Sequence, residues 1–460
     1  MVGANMKQKL SFSSYAVIGI MLFALFFGAG NLIFPAQLGQ NAGENLWPAV
    51  IGFIITGVGL PFLGILAMSF SGSSDLQELS SRVHPAYAVF FTSLLYLTIG
   101  PFFAAPRTGT AAYEIGIVPF VAQEFHQVGL IIFTLLFFGA TLWFSLFPAK
   151  IVDNVGKILA PGIVILLAIL LFMVFVNPMG EIGSAQGAYK AKAFTQGFLD
   201  GYNTMDAIAS LVFGIIVINA VRDMGVTSKK EILQSTAKSG AVAISLLALI
   251  YIGVAYMGAT STEKFGIFET GGPVLSSAAT HYFGTIGSVM LALIIILACL
   301  TTAIGLVTAN AEYFHKLFPK ISYKTLVVFF TLLTFVIANF GLENIITYSI
   351  PVLMFLYPLA IVLMLLTFLS PLFYHARIVY VSTIGVTFLI SIFDGLKSLC
   401  NSLGVDYFSW MVPIISFYKQ ILPFYNQGLG WLFPSIIVIA ITGIVARVQM
   451  QSKSLDGKNI

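Results

Sequence analysis

An apolar run that begins near Tyr15 would read as an ordinary membrane helix but for one interruption, Phe26-Phe27-Gly28-Ala29-Gly30-Asn31-Leu32-Ile33-Phe34-Pro35. Glycine and proline weaken helix interiors, and proline strips a hydrogen bond from the preceding turn. In hydrocarbon the freed N–H and C=O groups are tolerated only where they face protein, water or a ligand. The stretch is therefore read as a helix broken in mid-membrane to make a binding site. The alternative is a glycine-rich packing face or a simple proline kink.

The membrane itself follows from composition. The chain is 58% hydrophobic and 9% charged, where a soluble domain is about a quarter charged. With 460 residues this apolar, it is expected to be an all-α polytopic membrane protein. The net charge of +4 is spread over loops and does not point to nucleic acid. Cys299 and Cys400 have no paired spacing, so neither a disulfide framework nor a cysteine metal site is expected. Lys7 and Lys9 ahead of an apolar run resemble a signal peptide, but the Gly-Asn-Pro break and the lack of a small-residue cleavage site make it the first spanning helix.

Apolar stretches fall near 12–40, 46–70, 85–110, 128–147, 156–177, 193–221, 231–258, 285–314, 324–341, 344–370, 375–394 and 428–448. Each can cross roughly 30 Å of hydrocarbon at about 1.5 Å per residue. About twelve spans are expected, the third being the least regular because Pro101, Pro106 and Arg107 sit near its end. The 395–427 stretch, rich in aromatic residues and proline, reads as an interfacial loop, and Thr260 to Gly284 as an outer loop placed like a lid or as plain surface. With alternating sides and the N-terminus inside, 16 of the 22 Lys and Arg residues lie inside and 6 outside, the latter being Arg107, Lys190, Lys192, Lys264, Lys397 and Lys419. The positive-inside rule then puts both termini in the cytoplasm.

The sixth span holds a second interruption, Asp200-Gly201-Tyr202-Asn203-Thr204-Met205-Asp206-Ala207. A charge at the bilayer centre costs a few kcal/mol even on mild scales, so Asp206 must meet a partner, water or a solute. An interhelical bond would satisfy it equally well. Interruptions in spans one and six divide the chain into two sets of five spans, repeat 1 at about 12–177 and repeat 2 at about 193–370, followed by accessory helices at about 375–448, all in one transport domain. Five spans per unit invert the second copy, and paired broken helices in inverted halves mark the midplane site of a secondary transporter. In the eighth span Thr301 and Thr302 offer two adjacent hydroxyls to a hard cation such as sodium. The same hydroxyls can instead bond back to the preceding turn.

The stretch Gly28 to Pro35 followed by Leu38-Gly39-Gln40-Asn41-Ala42-Gly43 resembles the first-helix signature of bacterial branched-chain amino acid:cation symporters. Gly100-Pro101 through Pro106-Arg107-Thr108 and Thr204-Met205-Asp206-Ala207 are similar to further stretches of that family, along nearly the whole chain. The resemblance implies the leucine-transporter-type fold, a five-plus-five inverted repeat with broken helices one and six. It implies a sodium site of the Ala24, Phe27 and Ala298 carbonyls with the Thr301 and Thr302 hydroxyls, and, in some members, a further sodium at the position of Asn31. The substrates it implies are L-leucine, L-isoleucine and L-valine, with Na+ as coupling ion and H+ or Li+ as alternatives.

On that reading the substrate carboxylate sits on amides at Ala29 and Gly30, where Gly28 and Gly30 let the backbone approach. The ammonium meets carbonyls of Phe27 and of the Tyr202-Asn203-Thr204-Met205 break, assisted by Asp206. Tyr202, Met205 and Phe213 wall an apolar pocket. The chain is expected in the bacterial cytoplasmic membrane, with the lipid bilayer as its surroundings, no other cofactor, no nucleic acid and no obligate protein partner. An enzyme is disfavoured because His84, His126, His281, His315 and His375 lie at or near loops without a ligand pair. A carrier of another small amino acid or nucleobase-like solute is the nearest alternative, and a passive channel lacks a ring of charges.

Overall fold

The computed structural model describes residues 11–147 and 151–456, with side chains described outside 148–160, 163 and 451–460. Lys7, Lys9, Lys150 and Lys458, counted above on the inner side, lie outside the described residues. The described chain is helical throughout, with no strand. In order the helices are α1 (Phe12–Phe26), α2 (Gly30–Ala42), α3 (Leu46–Ile54), α4 (Leu60–Ser71), α5 (Leu76–Ser81), α6 (Pro85–Leu97), α7 (Ala104–Gly116), α8 (His126–Leu146) and α9 (Ile151–Val176). There follow α10 (Tyr189–Asp200), α11 (Asp206–Asp223), α12 (Lys229–Phe265), α13 (Gly272–Leu317), α14 (Tyr323–Ala338), α15 (Leu342–Leu369), α16 (Arg377–Leu403), α17 (Met411–Ile421) and α18 (Leu432–Asp456).

Local chemistry sets several of these ends. Ser11, Asp75, Ser228 and Ser322 cap α1, α5, α12 and α14, each side-chain oxygen accepting a backbone N–H three residues on. Wide turns at Ile55–Gly59 and Thr98–Phe102 join α3 to α4 and α6 to α7. Each precedes or contains a proline, Pro61 or Pro101, which cannot donate to the regular ladder. Each of the twelve expected spans falls on helix. Among the described residues, length and apolarity alone select eight, and the bent pair α10–α11 adds a ninth.

Three expectations change. The helix break at the first span is confined to Phe27, Gly28 and Ala29; Asn31 and Pro35 lie inside α2, which continues past Pro35 although the proline cannot donate to the Asn31 carbonyl one turn back. The third span continues through the Gly100 kink into α7, so Arg107 is not an outer-loop residue but a buried one, 3% exposed. The segments read as loops are largely helical: α12 runs to Phe265, α13 starts at Gly272 and kinks at Gly284, and α16 runs to Leu403 before the short α17.

The crossings that hold the two broken spans are backbone against backbone. A Cβ on Gly39 of α2 would stand 1.9 Å from the Ala255 carbonyl oxygen of α12, and one on Gly258 of α12 would stand 2.1 Å from the Ala36 oxygen. The pair Gly52 on α3 and Gly197 on α10 repeats this, at 2.1 Å from Phe194 O and 2.0 Å from Ala49 O. Small residues of this kind let helices approach closely where no hydrophobic force drives them together. The outward faces, with Ile131, Leu135, Leu136 and Trp143 on α8 and Ile436, Ile437, Ile441 and Ile444 on α18, are exposed and apolar, the composition of a lipid-facing surface.

Candidate functional site

The two breaks meet. At the first, the Phe27 N–H closes α1 on the Phe23 carbonyl at 2.8 Å, and the Gly28 N–H donates to Asn31 Oδ1 at 2.8 Å. The Ala24, Leu25, Phe26 and Phe27 carbonyls accept no hydrogen bond from the described residues. At the second, α10 and α11 bend by 45° across a tight turn, Gly201–Thr204. Met205 then takes a left-handed conformation, φ 63°, which is costly for a side chain with a Cβ and occurs where surroundings enforce it. The Thr204 hydroxyl accepts the Asp206 N–H at 3.3 Å and starts α11.

Side chains stitch the breaks together. Asn31 Nδ2 donates to Asp206 Oδ2 at 2.6 Å and also to the Tyr251 hydroxyl, and Tyr251 donates to the same Asp206 oxygen at 3.0 Å. Asn31, Asp206 and Tyr251 are all buried. Asp206 therefore has the interhelical partners that its burial demands, and one of them caps the first break. Arg107 braces the second break. Its Nη1 donates to the Asn203 carbonyl at 2.6 Å, its Nη2 lies 3.2 Å from Met205 Sδ, and its guanidinium sits 5.0 Å from the centre of the Phe34 ring. Its Nε has no partner.

Between these groups lies a cavity of about 60 Å³. Arg107, Thr108, Asp206, Asn31 and Thr302 give it polar walls, and Phe26, Ile99, Ala209, Phe213 and Leu306 apolar ones. Of the expected site residues, Gly28, Ala29, Gly30, Asn31, Thr204, Met205, Asp206 and Phe213 all line it. Tyr202 instead stacks on Tyr357, ring centres 4.0 Å apart, and Phe27 on Phe23 at 4.8 Å. Asn203 meets the site only through its carbonyl. Arg107 and Tyr251 were not among the expected site residues. An arginine inside an apolar stretch is itself a functional signal, but Pro101 and Pro106 just ahead of it made it look like the end of a span.

On α13, Thr301 and Thr302 hydroxyls donate to the Ala298 carbonyl at 2.8 and 3.1 Å, the back-bonded arrangement weighed above. This leaves their oxygen lone pairs free to accept or coordinate. Gly28 packs beside Thr302, where a Cβ would lie 3.8 Å from the threonine methyl. The donor set is all oxygen, as a hard monovalent cation requires. Among the described residues no group of three or more His, Cys, Asp or Glu could hold a transition metal.

Residues 11–449 match the model of the branched-chain amino acid transport protein family. The chain is 47% identical over 431 residues to the branched-chain amino acid permease BrnQ of Bacillus subtilis, covering 94% of this chain and 96% of that one. It is 45% identical to the permease BraB of the same organism, with 98% and 99% covered. To the branched-chain amino acid transport system 2 carrier protein of Pseudomonas aeruginosa it is 40% identical, with 94% and 95% covered. Among solved structures, the nucleobase-cation-symport-1 family transporter Mhp1, closed with bromovinylhydantoin bound, superposes with TM-score 0.57 at 14% identity, covering 95% and 93%. MhsT in complex with L-phenylalanine does so at 0.55 and 14%, covering 96% and 99%. These structures show that the fold is the leucine-transporter type.

Proposed function

The chain belongs to the family of branched-chain amino acid transport proteins, a transporter and not an enzyme, and on that premise we propose that it imports L-leucine, L-isoleucine and L-valine across the bacterial cytoplasmic membrane by sodium symport. The observation that carries this reading is the cavity at the meeting of the two helix breaks, apolar on one side and charged on the other. An aliphatic side chain goes to Phe26, Ile99, Phe213 and Leu306, and the charged head to the polar wall. Apolar pockets separate substrates differing by one methylene by only about 1–3 kcal/mol. Leucine, isoleucine and valine therefore share one site.

Sodium is held by the Ala24 and Phe27 carbonyls, open at the end of α1, and by Ala298, Thr301 and Thr302 on α13. One such ion is proposed. Asn31 Oδ1 accepts the Gly28 N–H and keeps its second lone pair, while the amide nitrogen donates to Asp206 and Tyr251. An ion joining α1 to α13 favours the state in which the first break is formed. Coupling follows because sodium and amino acid both bind that state better than its alternative. Small-ligand pockets measure roughly 300–1,000 Å³, so the lining side chains part when the substrate enters and close over it afterwards. Both termini are cytoplasmic, as the positive-inside balance requires.

The test is labelled leucine uptake into proteoliposomes with sodium, lithium and proton gradients imposed one at a time. Sodium alone is expected to drive accumulation. In the double variant Thr301→Ala/Thr302→Ala the protein is expected to insert normally and lose its sodium response. Uptake indifferent to sodium, or a double variant that keeps the response, refutes the assignment.

A further inference from the structure

We propose that the substrate's two charges are taken by side chains, its carboxylate by Arg107 and its ammonium by Asp206, and not by the main-chain dipoles of the helix breaks. This rests on the amino acid transport reading above. Part of the main chain at both breaks is engaged already, and the Ala24 and Phe27 carbonyls left open at the end of α1 are the ones assigned to sodium. Asn31 Oδ1 accepts the Gly28 N–H at 2.8 Å. The Tyr202 carbonyl accepts the Met205 N–H at 3.0 Å, and Arg107 holds the Asn203 carbonyl.

What stands open is charge. Arg107 and Asp206 line the same cavity, both buried, yet no carboxylate lies within 4.0 Å of the guanidinium; the one ion pair among the described residues is Asp75–Lys316. Opposite charges buried at membrane depth and left apart are costly unless something bridges them. An α-amino acid carries the matching pair of charges on a single carbon. The guanidinium has five N–H donors and spends two, one of them on a sulfur, which is a weak acceptor. Its planar fork suits a carboxylate through paired hydrogen bonds, and the Phe34 ring stacked on it holds the plane.

Asp206 is oriented in the same way. Both of its cross-helix bonds, from Asn31 and Tyr251, fall on Oδ2, which leaves the other oxygen for an ammonium. The arrangement also ties recognition to movement. Arg107 grips the second break through Asn203 and Met205, so a carboxylate that draws on the same guanidinium competes with that grip. Substrate arrival is thereby felt at the bend between α10 and α11.

Labelled leucine uptake in proteoliposomes, competed by leucine, isopentylamine (no carboxylate) and 4-methylpentanoate (no ammonium), tests this. For Arg107→Gln the leucine KM is expected to rise about 10- to 100-fold, the worth of a hydrogen bond to a charged group, while competition by isopentylamine is unchanged. Arg107→Lys, which keeps the charge without the fork, falls between. Asp206→Asn raises the leucine KM and leaves competition by 4-methylpentanoate unchanged. An unaltered leucine KM in Arg107→Gln and Asp206→Asn, or an equal loss of affinity for all three compounds, marks a bracing role only and overturns the proposal while leaving leucine transport standing. A wild-type protein that takes up no branched-chain amino acid overturns the transport reading and this one with it.

Discussion

Replacing Gly39 by alanine tests how the geometry of the site depends on a contact remote from it. The Cβ would stand 1.9 Å from the Ala255 carbonyl oxygen, against ordinary contact from 3.4 Å upward. The obstacle is backbone, so it cannot swing aside, and α2 and α12 must part by about 1.5 Å. Tyr251 is one turn from Ala255 on α12, and Asn31 lies on α2. Their hydrogen bond spans that same crossing, and Asn31 in turn holds Asp206 at 2.6 Å. Overpacking of this kind costs about 1–3 kcal/mol of stability, and a displacement of roughly 1 Å in a positioning group costs about 100-fold in rate. Gly39→Ala is therefore expected to insert, to melt lower in detergent and to lose leucine kcat/KM by about 100-fold. Gly258→Ala, which meets the Ala36 oxygen at 2.1 Å, should match it. The double variant should add little, since both act on one contact. Gly385→Ala on α16, with nothing within 4 Å, is the control and should be neutral. A Gly39→Ala protein whose leucine kcat/KM equals that of the wild type would refute the claim that this crossing sets the site.

Tyr251→Phe deletes the hydroxyl that bridges Asn31 and Asp206 and keeps the ring that stands edge-on to Phe53 at 5.2 Å. A bond to a charged group is worth about 1.5–3 kcal/mol, so the leucine KM should rise accordingly in uptake assays; an unchanged KM would remove Tyr251 from the site. The Asp75–Lys316 pair at 2.6 Å joins α5 to the end of α13. Burial pushes the Asp75 carboxyl up, but the hydrogen bond and charge of Lys316 and the Glu78 and Gln77 backbone amides outweigh it and leave it below 3.8. Because the folded value is depressed, the pair's contribution is complete at neutral pH and is lost as the pH falls through that value. Lys316 is 74% exposed, so Lys316→Met should lower stability at neutral pH by only about 0.2–1 kcal/mol. That difference should close as Asp75 is protonated, and a difference independent of pH would show that the pair plays no part.

The two breaks were legible in the sequence because they are made of residues that cannot continue a helix in lipid without a reason. Gly28, Gly30 and the polar run Asp200 to Asp206 are local signals, and the cavity lies where they meet. Sequence reading failed where the determinant was a relation between distant residues. Gly39 and Gly258 are unremarkable singly and acquire meaning only because α2 crosses α12 at that point. Tyr251 shows no pattern within the apolar length of α12, and its role comes from Asn31 and Asp206, which lie 220 and 45 residues away. Arg107 was visible but misplaced. The prolines ahead of it, Pro101 and Pro106, suggest a chain leaving the membrane, whereas Pro101 sits in a wide turn after which α7 carries Arg107 into the core. Even the main-chain groups bared by the breaks turn out to be taken up in part by Asn31 and Arg107. The discontinuities thus act less as a bare cradle than as a scaffold. They bring an arginine from the third span and an aspartate from the sixth to one small cavity, and that juxtaposition of side chains could be read only after the chain had folded.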